Sequence, residues 1–494
     1  MQRNVSVALL SAAMLVATAA GTAHGTTSAP SAPSAAVSAA SAVTAGELTS
    51  QDLTVDGVGS PHYRIPALTT SVRGTLLAAY DARPTLGDLP GNISIVLRRS
   101  TDGGATWQPQ QVVRKEAAPK GFGDPSLLVD RTTGRIFVFY AAGVNQGFFG
   151  SATGNDETDP NVLQADYSYS DDDGATWTHR RITRQIKNPA WAGMFAASGE
   201  GIQLRAGAYK GRLIQQYAIR NNGANYAVSA YSDDHGETWR MGNPVGPGGD
   251  ENKTVELSDG RIMLNNRSKP YRTIAYSTDG GVNYTPFTQD TALTDPANNA
   301  SVMRYAPDAP ASDPRSSWLL FSNTEDGSAR RNLTVKMSCD NGKTWPIRKV
   351  VDPGAAAYST LTGLPGGRVG LLYERADYQH ITYSSFDLTW LGGTCADITI
   401  TPPATLKAGT GAEVVVRVVN RMDVRRDAGT IDLTVPGGWT TSRAGIPALN
   451  PGQGANIKVP VTVAAGASGS VKLTATYRAS GKQASGSATV TVTP

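Results

Sequence analysis

The sequence predicts an all-β protein: a β-propeller followed by a small immunoglobulin-like β-sandwich. Three observations carry that reading. Short β-rich runs alternate with Gly/Asp/Asn turns from Leu48 onward, no amphipathic helix interrupts them, and one turn motif recurs along the chain.

The N-terminus reads as an export signal over residues 1–25, with Arg3 as the positive n-region and Val5 to Ala20 as the apolar h-region. Small residues around Ala17-Thr18-Ala19-Ala20 offer a cleavage site. A membrane anchor needs roughly 20 apolar residues, and Ser11, Ala12 and Ala13 weaken this stretch. Residues 26–47 are nearly all Ala, Ser, Thr, Pro and Val, so they bury too little to fold and are expected to form a linker. A secreted protein without a membrane span follows.

Residues 48–395 carry the first β domain. Its β runs include Thr75–Tyr80, Ile93–Arg98, Ile136–Ala141, Arg212–Ile219, Ala227–Tyr231, Arg261–Asn265, Thr273–Tyr276, Trp318–Phe321, Thr334–Met337 and Val369–Tyr373. Five turn boxes follow such runs: Ser100 to Trp107, Ser170 to Trp177, Ser232 to Trp239, Ser277 to Tyr284 and Ser338 to Trp345. In each, the Asp can accept backbone N–H bonds within its loop, the Gly permits positive φ, and the aromatic is expected to pack the turn against its own sheet. A turn repeated once per sheet means radial repetition. Residues 396–494 lose the aromatics and alternate as Ala412–Val418, Thr430–Val435, Ile457–Val463, Val471–Tyr477 and Ala488–Val492, the rhythm of one small sandwich. A spacer is its first expected role.

Bulk properties exclude some partners. The 494 residues carry a net charge of +4 with no Lys/Arg-rich block, which argues against nucleic acid or anionic membrane. Cys339 and Cys395 permit one disulfide or two inert thiols, and no metal-ligand spacing appears.

The stretch from Leu48 to Cys395 resembles the secreted bacterial sialidases, glycoside hydrolase family 33. The resemblance rests on Tyr63-Arg64-Ile65-Pro66, the five boxes, Val255-Glu256-Leu257, Tyr271-Arg272, Arg330, Tyr358-Ser359-Thr360-Leu361 and Leu372-Tyr373-Glu374, in the family's order. It implies a propeller of six blades and an exo-α-sialidase acting on sialylated glycans, as a monomer, without metal or organic cofactor.

Sialic acid bears a carboxylate on its anomeric carbon, and a guanidinium matches a carboxylate in bidentate geometry. The resemblance assigns that task to Arg64, Arg272 and Arg330, each bond contributing about 1.5–3 kcal/mol. An arginine in a β protein is more often a solvated surface group, and Arg331 is the rival of Arg330. Glu374 is implied to offset the repulsion among the arginines. A carboxylate nucleophile would meet like-charge repulsion at that carbon, whereas a neutral phenol would not; sialidases with a Tyr nucleophile are a known exception among glycosidases. A phenol needs a base. The resemblance assigns Tyr358 as nucleophile, Glu256 as its base and Asp88 as general acid/base, with Asp81 the rival acid. It places Arg83 on the sugar's 4-hydroxyl and Asp124 on its N-acetyl and 4-hydroxyl side. Phe148, Phe149, Trp191 and Phe195 are candidates for apolar contact, although such rings more often serve packing. A trans-sialidase, an intramolecular one, and a non-catalytic sialoglycan-binding propeller remain alternatives.

Overall fold

The computed structural model describes residues 46–311, 313–392, 395–420, 425–450, 452–479 and 482–494. The expected export signal and most of the expected linker lie outside the described residues. Every β run named above overlaps a strand, and the two α-helices among the described residues, Thr183–Ile186 and Leu388–Leu391, are single turns. No described helix is long and apolar enough to cross a membrane.

Residues 49–386 form five sheets. The first runs His62–Thr70, Leu76–Arg83, Ser94–Ser100 and Gln111–Arg114, each strand antiparallel to the next. The same order recurs from Gly121–Val129, from Met194–Ala196 and from Asn252–Glu256. The fifth sheet has seven strands. Its long strand Ile347–Gly363 pairs with Arg331–Ser338 through one half and Val369–Arg375 through the other. Thr49–Val55 joins that sheet beside His380–Phe386, so the start of the domain pairs with its end. Cys339 and Cys395 are joined in a disulfide.

The first strand of each repeat was absent from the predicted runs. The reason is visible in their sequences. Asn252–Glu256 reads NKTVE and is buried throughout, and Gly121–Val129 carries Gly, Asp and Pro. Strands buried on both faces lose the alternation that marks a half-exposed strand.

The boxes are as expected in chemistry and different in contact. Ser100 Oγ donates to Asp102 Oδ1 (2.7 Å) and accepts from Gly104 N (2.9 Å), while Asp102 accepts from Thr106 N (2.9 Å). The same bonds recur at Ser170, Ser232, Ser277 and Ser338. Trp345 packs on Phe321 of its own sheet at 5.6 Å, but other aromatics reach across. Trp107 meets Tyr383 edge-on at 5.1 Å, and Trp239 meets Phe139 at 5.0 Å, both on the neighbouring sheet. The glycine sits in the same seam. A Cβ on Gly104 would lie 2.2 Å from Tyr383, and one on Gly236 would lie 2.3 Å from Phe137. These two boxes are therefore rivets between sheets.

The C-terminal sandwich has two sheets, one built on Gly411–Asn420 and Gly454–Thr462, the other on Gly469–Ala479 and Lys482–Thr493. Val414, Val416, Val418, Leu433, Trp439 and Tyr477 share its core.

Two glycines in one turn test the rivet. Gly103 has φ +72° with open space beyond it, whereas Gly104 has φ +90° and the Tyr383 ring. Gly103→Ala is expected to cost about 1 kcal/mol, from backbone strain alone. Gly104→Ala adds a clash and is expected to cost about 2–4 kcal/mol. Denaturant midpoints of the two variants measure the difference.

Candidate active site

The site is built where the first strands begin. Arg64 lies in His62–Thr70 and Asp124 in Gly121–Val129, each beside a β-bulge. Glu251 immediately precedes Asn252–Glu256, and Tyr358 lies in Ile347–Gly363. These residues, with Asp88, Asp250, Arg267 and Arg330, line one cavity of about 470 Å³.

Tyr358 stands at its floor, with only 7% of its surface exposed. Its hydroxyl donates to Glu251 Oε2 at 2.6 Å and accepts from Arg267 Nη1 at 2.9 Å. Arg267 also donates to Glu251 Oε2 at 2.6 Å. Burial and the adjacent Glu251 carboxylate hold the Tyr358 hydroxyl well above the ordinary phenol value, against the pull of Arg267, Arg330 and Arg64. Burial pushes the Glu251 carboxyl up, but Arg267 and the Tyr358 hydrogen bond outweigh it and leave the group below its usual value. The resting pair is a neutral phenol and an ionised carboxylate.

Glu251 is held from behind. Ser198 Oγ donates to Glu251 Oε1 at 2.9 Å, and Asn299 Nδ2 donates to Ser198 O at 3.0 Å and Ser198 Oγ at 3.1 Å. Lys253, 1% exposed, donates to Ser198 O and to Asn299 Oδ1 (3.2 Å).

Three guanidinium groups surround the phenol. Arg64 and Arg330 each lie 5.3 Å from the Tyr358 ring centre, and Arg267 bonds its hydroxyl. Arg64 donates twice to Glu374, at 2.8 and 3.2 Å. Arg330 donates to Tyr378 Oη at 3.1 Å. Arg331 points elsewhere, to Asp326.

The sequence-based expectations for Glu256 and Arg272 are corrected. Glu256 is not the partner of Tyr358. It lies at the far end of the Asn252–Glu256 strand, opposite Ile262, and accepts from the backbone N–H groups of Arg205 (2.8 Å) and Ala206 (3.0 Å). Arg272 is not in the arginine cluster. It is fully buried in the Tyr271–Ser277 strand and donates to Asn265 Oδ1 (2.7 Å), Asp295 Oδ2 (3.1 Å) and Asn298 O (2.6 Å). Glu251 and Arg267 occupy the places expected for them. The two are neighbours across the hairpin, because Asn252 pairs with Asn266 and Arg267 N donates to Glu251 O. The shared feature is position in the fold: Arg64 and Asp124 sit near the starts of first strands, as Glu251 does and Glu256 does not, and those strands were absent from the predicted runs.

On the opposite wall, Asp88 lies at the rim with its side chain 76% exposed, and Arg83 Nη1 donates to it at 2.7 Å. Arg83 itself is 1% exposed and is absent from the cavity lining. Its remaining donors meet Asp81 (3.0 and 2.7 Å) and the Leu86 and Gly87 carbonyls, so it holds the Asp88 loop. Asp81 is fully buried behind it, its carboxyl pushed up to about 6 by burial against the attraction of Arg83. Asp124 faces the cavity with φ +65°, and burial together with Asp81 holds its carboxyl well above the ordinary range. Phe148, Phe149 and Phe195 line the cavity, with Phe149 75% exposed. Trp191 instead packs in a core with Phe139 and Tyr217.

Residues 74–371 match the BNR repeat-like domain. Over 454 residues the chain is 52% identical to a sialidase of Micromonospora viridifaciens, covering 90% of this chain and 70% of that protein. The chain belongs to the sialidase family. A Bacteroides fragilis sialidase is 31% identical over 67% of this sialidase and 64% of its own length. Among solved structures, a Hadza microbial sialidase superposes with a TM-score of 0.61 at 33% identity, covering 67% of this chain and 66% of the other. The intramolecular trans-sialidase of Ruminococcus gnavus has a TM-score of 0.60 at 21% identity, over 69% of this chain and 97% of the other, a likeness of fold. Residues 406–480, within the C-terminal sandwich, match the NPCBM-associated NEW3 domain of alpha-galactosidase.

The corrected placement of Arg272 has a measurable consequence. Arg272→Met leaves buried Asp295 without its cation and is expected to cost about 3–5 kcal/mol. Thermal unfolding of the variant checks it; an unchanged midpoint contradicts the structural role.

Proposed function

We propose that this sialidase is an exported exo-α-sialidase that releases terminal sialic acid with retention, through a sialyl–tyrosine intermediate at Tyr358. One observation carries the mechanism: the Tyr358 hydroxyl donates to Glu251 at 2.6 Å inside a ring of Arg64, Arg267 and Arg330. The recurring four-strand order, with Thr49–Val55 closing on His380–Phe386, supports a propeller of six blades in which the long strand Ile347–Gly363 serves two.

The arginines receive the substrate carboxylate, Arg64 already fixed by Glu374. Asp88 at the rim donates a proton to the glycosidic oxygen as that bond to the anomeric carbon breaks. The Tyr358 oxygen forms the new bond on the opposite face and its proton passes to Glu251. Asp88, now a carboxylate, takes a proton from water, whose oxygen attacks the anomeric carbon. The bond to Tyr358 breaks and Glu251 returns the proton to the phenolate. Atoms and charge balance over the two steps. Asp124 and the Phe148–Phe195 pair, 4.9 Å apart, form the wall for the N-acetyl side. The Arg3 n-region and the apolar Val5 to Ala20 stretch support export.

Glu251→Gln is expected to lower kcat by about 10²–10⁴-fold, whereas Glu256→Gln leaves kcat on a sialyl-lactose close to wild type. The reverse order would return the base to Glu256. A fluorinated sialyl substrate is expected to leave its adduct on Tyr358 in peptide mass spectra, and an adduct on any other residue refutes the nucleophile.

The pH profile follows from the charge pair. Glu251 acts only when ionised, and its carboxyl titrates below the ordinary 4.5. Activity is therefore retained on the acid side until pH falls through that lowered value. Arg267→Gln removes the principal attraction, so the acid limb of kcat is expected to move to higher pH. A limb that stays in place would detach Arg267 from the base.

A further inference from the structure

The strands that begin at the active cavity end in a second one. Its volume is about 440 Å³, and it is lined by Thr69–Ser71, Val129, Glu256, Val302–Tyr305 and Leu361–Pro365, the far ends of the same first strands. At about 3.3 Å per residue, Glu256 lies some five residues of extended strand from Glu251, so the two cavities are separate sites.

The second cavity has an apolar wall in Leu68, Val129, Val255, Val302 and Leu364. Against that wall stand Arg131, Arg205 and Arg304. Their partners are incomplete. Arg304 has 7% of its side chain exposed, and its buried Nε has no hydrogen-bond partner among the described residues. Its nearest carboxylate, Glu256, is 3.6 Å away and already accepts two backbone N–H groups. Arg205 pairs with Asp308, whose side chain is 77% exposed. The Arg131 guanidinium has no ion pair or hydrogen bond among those of the described residues. Glu200, the remaining acid in the wall, is bound to Ser301 Oγ (2.5 Å) and to Thr360, and burial holds its carboxyl up toward the neutral form. Arg131 and the Arg304 Nε thus keep donors that no described residue accepts from. A buried guanidinium without hydrogen bonds is costly.

We propose that this cavity is a binding site for a small organic carboxylate. The carboxylate oxygens would accept from Arg304 and Arg131, in the planar geometry that guanidinium groups favour. The apolar body of the ligand would pack on Val255, Val302 and Leu364. The site shares no arginine with the one that holds Tyr358.

Benzoate is the probe, titrated calorimetrically into the whole protein. Binding is expected to weaken about tenfold or more in Arg131→Gln and in Arg304→Gln, the effect of one lost charge-assisted hydrogen bond. It is expected to be unchanged in Arg330→Ala. Arg131 is exposed, so its variant reports even if the Arg304 variant does not fold. No binding to the wild type overturns the proposal. So does binding that survives Arg131→Gln, or that disappears in Arg330→Ala, which would place benzoate in the active cavity.

Discussion

One buried carboxylate joins the parts of the active site that are most distant in sequence. Glu374 has no exposed surface, and its two oxygens accept from Arg64 Nε and Nη2, from Ile65 N and from Tyr358 N. It therefore ties the strand His62–Thr70 to the strand that carries Tyr358. Removing such a group would leave Arg64 buried without its anion, a loss of about 3–5 kcal/mol. The same contact restrains Ile65, a β-branched residue at φ +60°. That conformation costs on the order of 1–3 kcal/mol and persists only where surrounding bonds enforce it. The Tyr-Arg-Ile-Pro run is thus a strained corner clamped by an acid 309 positions away from Ile65.

Electrostatic order in the cavity follows from that clamp. Each arginine has an acid or oxygen behind it and an open face toward the cavity: Glu374 behind Arg64, Glu251 and Asp250 beside Arg267, the Ala297 carbonyl and Tyr378 against Arg330. Mutual repulsion among the cations is lowered without quenching the field at the centre. The centre is occupied by a neutral phenol beside an ionised base, which suits attack on a carbon that already carries a carboxylate. On the far wall the arrangement is inverted. There Arg83 is enclosed by Asp81 and Asp88, and carboxyl groups face the cavity.

The scaffold keeps these groups in register by means unrelated to catalysis. Each box locks its own loop through Ser and Asp, and those of Gly104 and Gly236 insert a glycine and an aromatic ring into the adjacent sheet. Because interiors are close-packed, a shift of one sheet would be felt by its neighbour. The first strands, which carry Arg64, Asp124 and Tyr358 and begin just after Glu251, are buried on both faces and hold polar side chains in place at both ends.

What the sequence determined by itself was local. The box chemistry, the strand runs and the sandwich were legible because each is encoded in a few neighbouring residues, whereas Arg64, Asp88, Asp124, Arg330 and Tyr358 were named by resemblance and meet at one cavity. The base and the third arginine were not. Glu256 and Arg272 were chosen from the short runs Val255-Glu256-Leu257 and Tyr271-Arg272, yet a residue's reach depends on which end of a strand it occupies. Only the pairing of Asn252 with Asn266 decides that Glu251 and Arg267 meet Tyr358 and that Glu256 faces another cavity. The role of Arg83 and the Cys339–Cys395 bridge were likewise settled in three dimensions, since both depend on which side chains distant turns bring within bonding distance.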